Sequence, residues 1–483
     1  MSALISPYLA EQLTAAGQEH LVEYARTLAT EDQTAWVRQL LAVDWELVTQ
    51  LLATAEANRR GKAESVQELA SRAHPPERLV RLPQTAADRG TWQAMHERGE
   101  DWLRAGKVGV VVVAGGQGSR LGFDAPKGMF PFGPITGKSL YQWFCEHLRA
   151  LRDRYGQPIP YAVMTSDSTH TESVEYFAAQ HHFGLPPGDL RLFRQSSLPA
   201  VDIATRRVLL AGPQQLALSP DGHGGMLTAL ARENILTDWR NRGIETIFYH
   251  QVDNPATPLC NPAFIGWHLA HQADVSTKVV AKTSASEKMG VVVTTDGVTR
   301  IIEYSDLPPD IATQTDHRGR VRLWAGNTAI HLFQREFLER ALVDEHAMPF
   351  HVARKVVTHW DASINQLVTP GAANAFKFER FIFDVLPWAN TALVVEGKRA
   401  DEFLPIKNAD GADSPSTARD AMMARQRDWL RTCGCTIGDD VPVEISPGVA
   451  TSAAELARHV PSNMVITAPF VLEVPGGLHP PLA

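Results

Sequence analysis

The apolar positions along the chain change their period twice. Up to about Arg104 they recur at three- and four-residue spacing, as in HLVEYARTLA and TAWVRQLLAVDWELVTQLLATA, with acidic residues and threonine near the starts, which predicts amphipathic helices. From Lys107 onward, short and continuously apolar runs alternate with amphipathic stretches. VGVVVVA, IPYAVMTS, RLFRQ, TIFYHQV and STKVVAK read as strands; SLYQWFCEHLRALRDRY, HTESVEYFAAQHHF, GMLTALARENILTDWRNR and PAFIGWHLAHQ read as helices. Strands without a polar face, separated by helices, predict a mainly parallel sheet covered on both sides. Beyond about Pro405 the pattern weakens, and from Cys435 only short β-like runs broken by proline and glycine remain. The expected division is a helical segment over 1–105, an α/β domain over 106–405, and a C-terminal region over 406–483 ending in a small, partly β tail.

Composition narrows the partners. With 44% apolar and 21% charged residues the chain has the make-up of a soluble globular protein. Its net charge is -8 and it has no lysine or arginine run, so a nucleic-acid partner is not expected. Nowhere do eighteen apolar residues follow one another, and the first residues lack the basic start of a signal peptide, so neither a membrane partner nor secretion is expected. Cys145, Cys260, Cys433 and Cys435 do not form a disulfide framework, and Cys433-Gly-Cys435 has neither redox nor zinc spacing, which points to reduced thiols and a cytoplasmic protein. Oligomeric state carries no sequence signal.

Candidate chemistry concentrates in VAGGQGSRLGFDAPKGMF, residues 113–130, directly behind the first strand of the α/β domain. Ligands of such sheets sit at the carboxyl ends of strands. Glycines there let backbone N–H groups close around phosphates, and Arg120 and Lys127 supply positive charge; a glycine turn bearing two surface cations is the plainer alternative. A dinucleotide fingerprint fails because Leu121 stands where the third glycine belongs, and GPITGKS imitates a Walker loop with one residue too few between Gly133 and Gly137.

The segment AGGQGSRLGFDAPKGMF resembles the signature of the UDP-sugar pyrophosphorylases, most closely the eukaryote-type UDP-N-acetylglucosamine branch. FRQSSLPAVD, SPDGHGGMLTAL, VDNPATPLCNPAFIGWHL, KVVAKTSASEKMGVVV, IIEYSDL, AGNTAIHLF, FERFIFDVLPWA and DEFLPIKNADG follow in that family's order, so the similarity spans roughly residues 106–425. The resemblance implies a Rossmann-like, GT-A-like nucleotidyltransferase with a mixed sheet flanked by helices. It implies a reaction of UTP with N-acetylglucosamine 1-phosphate to give UDP-N-acetylglucosamine and pyrophosphate, with Mg²⁺. The same chemistry on glucose or galactose 1-phosphate is the alternative, and a non-catalytic nucleotide-sugar-binding protein a more distant one.

Roles carry over residue by residue. Ala114, Gly115, Gly116, Gln195 and Gly222 are implied in nucleotide binding; Arg120, Lys127 and Lys407 in catalysis at the phosphates; and Asp253 in metal binding. His223, Glu303, Asn327, Phe381 and Phe383 are implied around the sugar, with Lys377 a weaker basic candidate. Asp253 also reads as a cap on the turn before Pro255, and Phe381 and Phe383 as core aromatics at alternating spacing. The family pattern departs at His223, where this branch usually has asparagine; histidine there is more typical of the UDP-glucose and broad-specificity enzymes, while Gly225 keeps to the acetylhexosamine branch.

Overall fold

Val108–Val113 has no polar face, so it must be covered on both sides, and it lies inside a ten-stranded sheet. In chain order the strands are β1 (Leu79–Val80), β2 (Val108–Val113), β3 (Tyr161–Thr165), β4 (Leu190–Arg194), β5 (Thr246–Gln251), β6 (Val275–Ala281), β7 (Val291–Thr295), β8 (Val298–Ile302), β9 (Ala325–Gln334) and β10 (Ala392–Glu396). Their spatial order is β1-β10-β6-β9-β5-β2-β3-β4, and β7 and β8 form a hairpin attached to β9. Every strand on that path runs parallel to the others except β9, which pairs antiparallel with both β5 and β6. The chain leaves β2 for β3 on one side, while β5 lies on the other, so a crevice opens at the carboxyl ends of β2 and β5.

This computed structural model describes residues 5–59, 66–343 and 348–474. The sheet belongs to a unit formed by Leu69–Arg194, Met226–Glu345 and Val385–Ala483. Leu140–Tyr155 buries most of its length against the sheet, capped by Ser139 at its start and by left-handed Gly156 at its end. Ala86–Arg104 packs on Pro262–Ala270, with Trp92 edge-on to Trp267 at 5.9 Å. The C-terminal helix Pro415–Thr432 opens on a capping box at Ser414, and two parallel strand pairs follow it, Thr436–Ile437 with Val465–Ile466 and Val443–Ile445 with Phe470–Leu472.

The other unit comprises Met1–Glu68, Gln195–Gly225 and His346–Asp384. Its helices Pro7–Ala15, Glu19–Ala25, Thr30–Leu41 and Trp45–Arg59 direct Leu9, Leu21, Trp36, Leu40 and Val48 into one core with Val201, Leu210, Phe376 and Phe378. Three short strands, His351–Lys355, Ala375–Glu379 and Val201–Asp202, form the small sheet of this unit. Residues 1–105 therefore contribute to both units, because the core partner of the first four helices lies far along the chain.

Two predicted helices are shorter than their periodicity suggests. HTESVEYFAAQHHF is α-helical only over His170–Ala179, after which His181, His182 and Phe183 take positive φ. GMLTALARENILTDWRNR splits into Met226–Arg232 and Ile235–Asn241 at Asn234, whose φ of 56° is left-handed, a conformation asparagine tolerates. Among the described residues no helix is long and apolar enough to cross a membrane.

Candidate active site

The loop behind β2 is held from three directions. Ala114 donates its N–H to Met164, extending the β2–β3 ladder, while Ser166 donates its hydroxyl to the Gly115 carbonyl at 2.7 Å and Gln117 donates to Ser168. The loop then folds back on itself, with Lys127 N–H bonded to the Gly116 carbonyl and Gly118 N–H to Ala125. A Cβ at Gly118 would strike Phe123, so internal packing demands that glycine, whereas a Cβ at exposed Gly116 would meet nothing within 4 Å. What Gly116 keeps open is approach from outside the chain. Arg120 stands exposed on the turn Ser119–Leu121 of the same loop.

Lys127 points away from that turn toward the end of β5. Its Nζ lies 3.7 Å from the Asp253 carboxylate and donates to the Ile406 carbonyl at 3.4 Å; both acidic and basic side chains are mostly buried. The Ile406 N–H returns to the Asp253 carbonyl at 2.8 Å. Loop, strand end and the segment carrying Lys407 therefore meet around one ammonium group. Lys407 itself has its backbone N–H bonded to Asp413 and its ammonium 5.8 Å from the Phe403 ring, within cation–π range.

Asn254 and the pair Lys278–Glu402 escaped the sequence reading. The buried Asn254 amide donates to the Glu402 carbonyl at 2.8 Å and accepts the Leu404 N–H at 2.9 Å, tying the Lys407 segment to the end of β5. Lys278, 2% exposed on β6, holds the Glu402 carboxylate at 2.6 Å. A lysine inside the apolar run STKVVAK was the available signal, since a buried ammonium needs a partner. Asn254 gave no separate signal, because Asp-Asn-Pro reads first as turn chemistry.

Glu303 and Asn327 come together around Gly290, the residue before β7. Asn327 donates its N–H to the Gly290 carbonyl, and a Cβ on Gly290 would lie 3.0 Å from a Glu303 carboxylate oxygen. Asn327 lies near the start of β9, which runs antiparallel to β5 with Thr246 opposite Gln334, so it stands at the same end of the sheet as Asp253. Its side-chain oxygen accepts the N–H of Ala329, whose φ is 55°.

The remaining predicted residues belong to the unit with the N-terminal helices. The pairing of Ser197–Pro199 with Leu218–Pro220, extended by an Asp221 N–H to Ser196 bond, brings buried Gln195 next to Gly222 in the chain fold. Gly222 has a φ of 85°, and a Cβ there would strike the Arg380 carbonyl. His223 lies stacked on Phe381 at 5.2 Å and tilted toward Phe383 at 5.5 Å, while Phe381 stacks on His351 at 4.3 Å and His351 reaches Asp384 at 2.8 Å. The His223 Nδ1 accepts the Ile382 N–H, which leaves the proton of the neutral ring on Nε2 as a donor. Burial, with a smaller contribution from His351, pushes the His223 pKa down to about 4, so the ring is neutral at physiological pH. Lys377 lies on the strand Ala375–Glu379 of the same unit.

Asp253 offers a hard carboxylate oxygen, and among the described residues no group of three or more His, Cys, Asp or Glu side chains forms a metal cage. One carboxylate suits Mg²⁺ that brings phosphate and water oxygens as its other ligands. It does not suit zinc, which takes three or four protein ligands.

Comparison with known proteins shows the family and the fold. The family model described as UTP–glucose-1-phosphate uridylyltransferase matches residues 50–429. The human UDP-N-acetylhexosamine pyrophosphorylase-like protein 1 is 36% identical over 440 residues, covering 89% of this chain and 86% of its own. The UDP-N-acetylglucosamine pyrophosphorylase of Saccharomyces cerevisiae is 34% identical over 369 residues, covering 74% and 77%. In structure, the uridine diphosphate N-acetylglucosamine pyrophosphorylase of Trypanosoma brucei superposes with a TM-score of 0.80 over 97% of this chain and 98% of its own, at 24% identity, and so shares the fold.

Proposed function

Because the chain belongs to the UTP–glucose-1-phosphate uridylyltransferase family, we propose that it joins UTP to N-acetylglucosamine 1-phosphate, forming UDP-N-acetylglucosamine and pyrophosphate in the cytoplasm with Mg²⁺. Uridylyl transfer from UTP to a sugar 1-phosphate comes with the family; the choice of sugar, the metal, the location and the residue roles are the proposal. The meeting of Lys127, Asp253 and the Lys407 segment at the carboxyl end of β5 is the observation that carries it. The acetamido sugar class follows the name of the human relative and N-acetylglucosamine that of the yeast relative, and the four unbridged cysteines suit a reducing compartment.

A phosphate oxygen of the sugar 1-phosphate attacks the α-phosphorus of UTP, a new P–O bond forms, and the bond to the β-phosphate oxygen breaks as pyrophosphate leaves. The attacking oxygen is already ionised, so no general base is needed. What the protein must supply is alignment of two polyanions and neutralisation of their charge. In this reading Gly115 and Gly116 admit the triphosphate to the backbone, Lys127 and Arg120 bear on the α-phosphate and the departing pyrophosphate, and Lys407 on the sugar phosphate. Asp253 would hold Mg²⁺, which when bound supplies charge neutralisation at the phosphate oxygens. Gln195 and Gly222 are assigned to uridine, and Glu303, Asn327, His223, Phe381 and Phe383 to the sugar.

The neutral Nε2–H of His223 favours a second reading, the same transfer to glucose or galactose 1-phosphate, because that donor serves a hydroxyl as well as an acetamido oxygen. Pyrophosphate release with UTP and Mg²⁺, run on N-acetylglucosamine, N-acetylgalactosamine, glucose and galactose 1-phosphates, separates the two. The expected result is a preference of about ten- to a hundredfold for the acetamido sugars, the size of one unpaired polar contact. A preference for glucose or galactose replaces the sugar assignment, and no release with any of the four overturns the reading.

A further inference from the structure

The GPITGKS loop, which fails as a Walker motif, does bind an anion, and the anion is part of the chain. Ile135 and Thr136 donate their backbone N–H groups to one carboxylate oxygen of Glu444 at 2.7 and 2.8 Å, and the Thr136 hydroxyl donates to the other at 2.5 Å. Glu444 is fully buried in the middle of Val443–Ile445, opposite Val471 in the parallel pair of the tail. Next to it Lys138, 1% exposed, lies between Glu146 at 2.9 Å and Glu473 at 2.8 Å, and Ser446 donates to Glu146. Three glutamates and a lysine thus knot the tail to the segment leading into Leu140–Tyr155. A buried carboxylate stripped of water is costly unless its lone pairs are filled, so this arrangement holds only when loop and tail are in register.

The knot lies a short distance along the chain from Lys127. The Lys127 carbonyl accepts the Phe130 N–H, and the Phe130 carbonyl accepts the Leu140 N–H, closing residues 131–139 into a loop pinned at its base. Arg419, from the C-terminal helix, donates to the carbonyls of Phe132 and Pro131 at that base. We propose that Glu444 is a positioning residue for uridylyl transfer: by filling the N–H groups of the 133–138 loop it makes the C-terminal region a brace on the segment that carries Lys127. The inference rests on the assignment of Lys127 above, and it gives the tail a part in catalysis although none of its residues touches the reacting atoms.

The test is a mutant cycle in the full chain. Glu444→Gln keeps the shape but removes the carboxylate charge shared by the two loop N–H groups and the Thr136 hydroxyl, and it is combined with Lys127→Arg. The expected result is that kcat of folded Glu444→Gln falls about ten- to a hundredfold with KM for UTP within about threefold, the signature of a displaced catalytic group rather than lost binding. In the Lys127→Arg background the same change should cost less than about threefold, because both act through one group. A folded Glu444→Gln with wild-type kcat, or a full additive loss in the double variant, overturns the proposal. If Glu444→Gln does not fold, Thr136→Ala decides, since it keeps the carboxylate and both backbone N–H bonds to it and removes only the hydroxyl, which also accepts the Lys138 N–H at 3.3 Å: a kcat reduced at least about threefold at constant KM supports the brace, and an unchanged kcat overturns it. Lys127→Arg with wild-type turnover would instead refute the role of Lys127, a failure distinct from that of the brace.

Discussion

The cluster at Lys127 and the cluster at His223 are built by opposite means. Around Lys127 the partners are a carboxylate and a backbone carbonyl, and the ammonium is held by the ends of two segments that are themselves bonded to each other. Around His223 the partners are rings, Phe381 stacked at 5.2 Å and Phe383 tilted at 5.5 Å, with a single backbone N–H fixing the tautomer. A placed charge acts on charge that moves, which raises kcat; a neutral ring and its donor act on shape and hydrogen bonding, which select a substrate. The difference predicts that damage to the first region appears in rate and damage to the second in preference.

The largest effect should come from Lys127→Ala. Removing a preorganised charge from the transferring phosphates is expected to lower kcat by about a thousandfold, with a much smaller change in KM, measured as pyrophosphate release at saturating UTP. A loss below about tenfold would erase the contrast between the clusters. Asn254→Ala comes next and sharpens it, because Asn254 carries no charge and acts only by holding the Lys407 segment. Its kcat should drop about tenfold, and in a Lys407→Ala background the same change should cost almost nothing. Thermal unfolding serves as a control: losing two buried hydrogen bonds should destabilise by about 1–3 kcal/mol in either background.

Much of this was legible before any coordinates. β2, β3, β4, β5 and β6 announce themselves as apolar runs, and the glycine loop is read from its position behind β2. β9 is hidden because AGNTAIHLFQ mixes polar residues into a strand buried on both faces: Thr328 and His331 are inside, each hydrogen-bonded to a β6 neighbour, the Lys278 carbonyl and the Thr277 hydroxyl. The unit built from three distant segments is equally hidden, since helical periodicity shows that Leu9, Trp36 and Leu40 need a core but not that Val201 and Phe376 supply it. Glu444 sits in PVEIS, where nothing local distinguishes a surface glutamate from a carboxylate that fills a loop more than three hundred residues earlier. Local pattern reports what a segment must bury; it is silent on which distant group satisfies it.

The smallest expected effect is also the most direct probe of the ring side. His223 has its pKa lowered from 6.5 to about 4, chiefly by burial, so between those values the unfolded chain binds a proton that the folded chain refuses. The stabilisation due to the neutral ring is therefore complete above pH 6.5 and is lost as the pH falls through that window toward 4. His223→Asn has no such titration. The difference in unfolding free energy between wild type and variant, taken from urea melts, should be level from pH 8 to about 7 and shrink steadily as the pH is lowered to about 4.5. Acid titration of carboxylates common to both proteins cancels in that difference. A difference independent of pH would mean that the ring titrates as it does in water and is not the fixed donor described above; a shrinking one, with sugar preference constant from about pH 6 to 8, is what a ring protonated only on Nε2 requires.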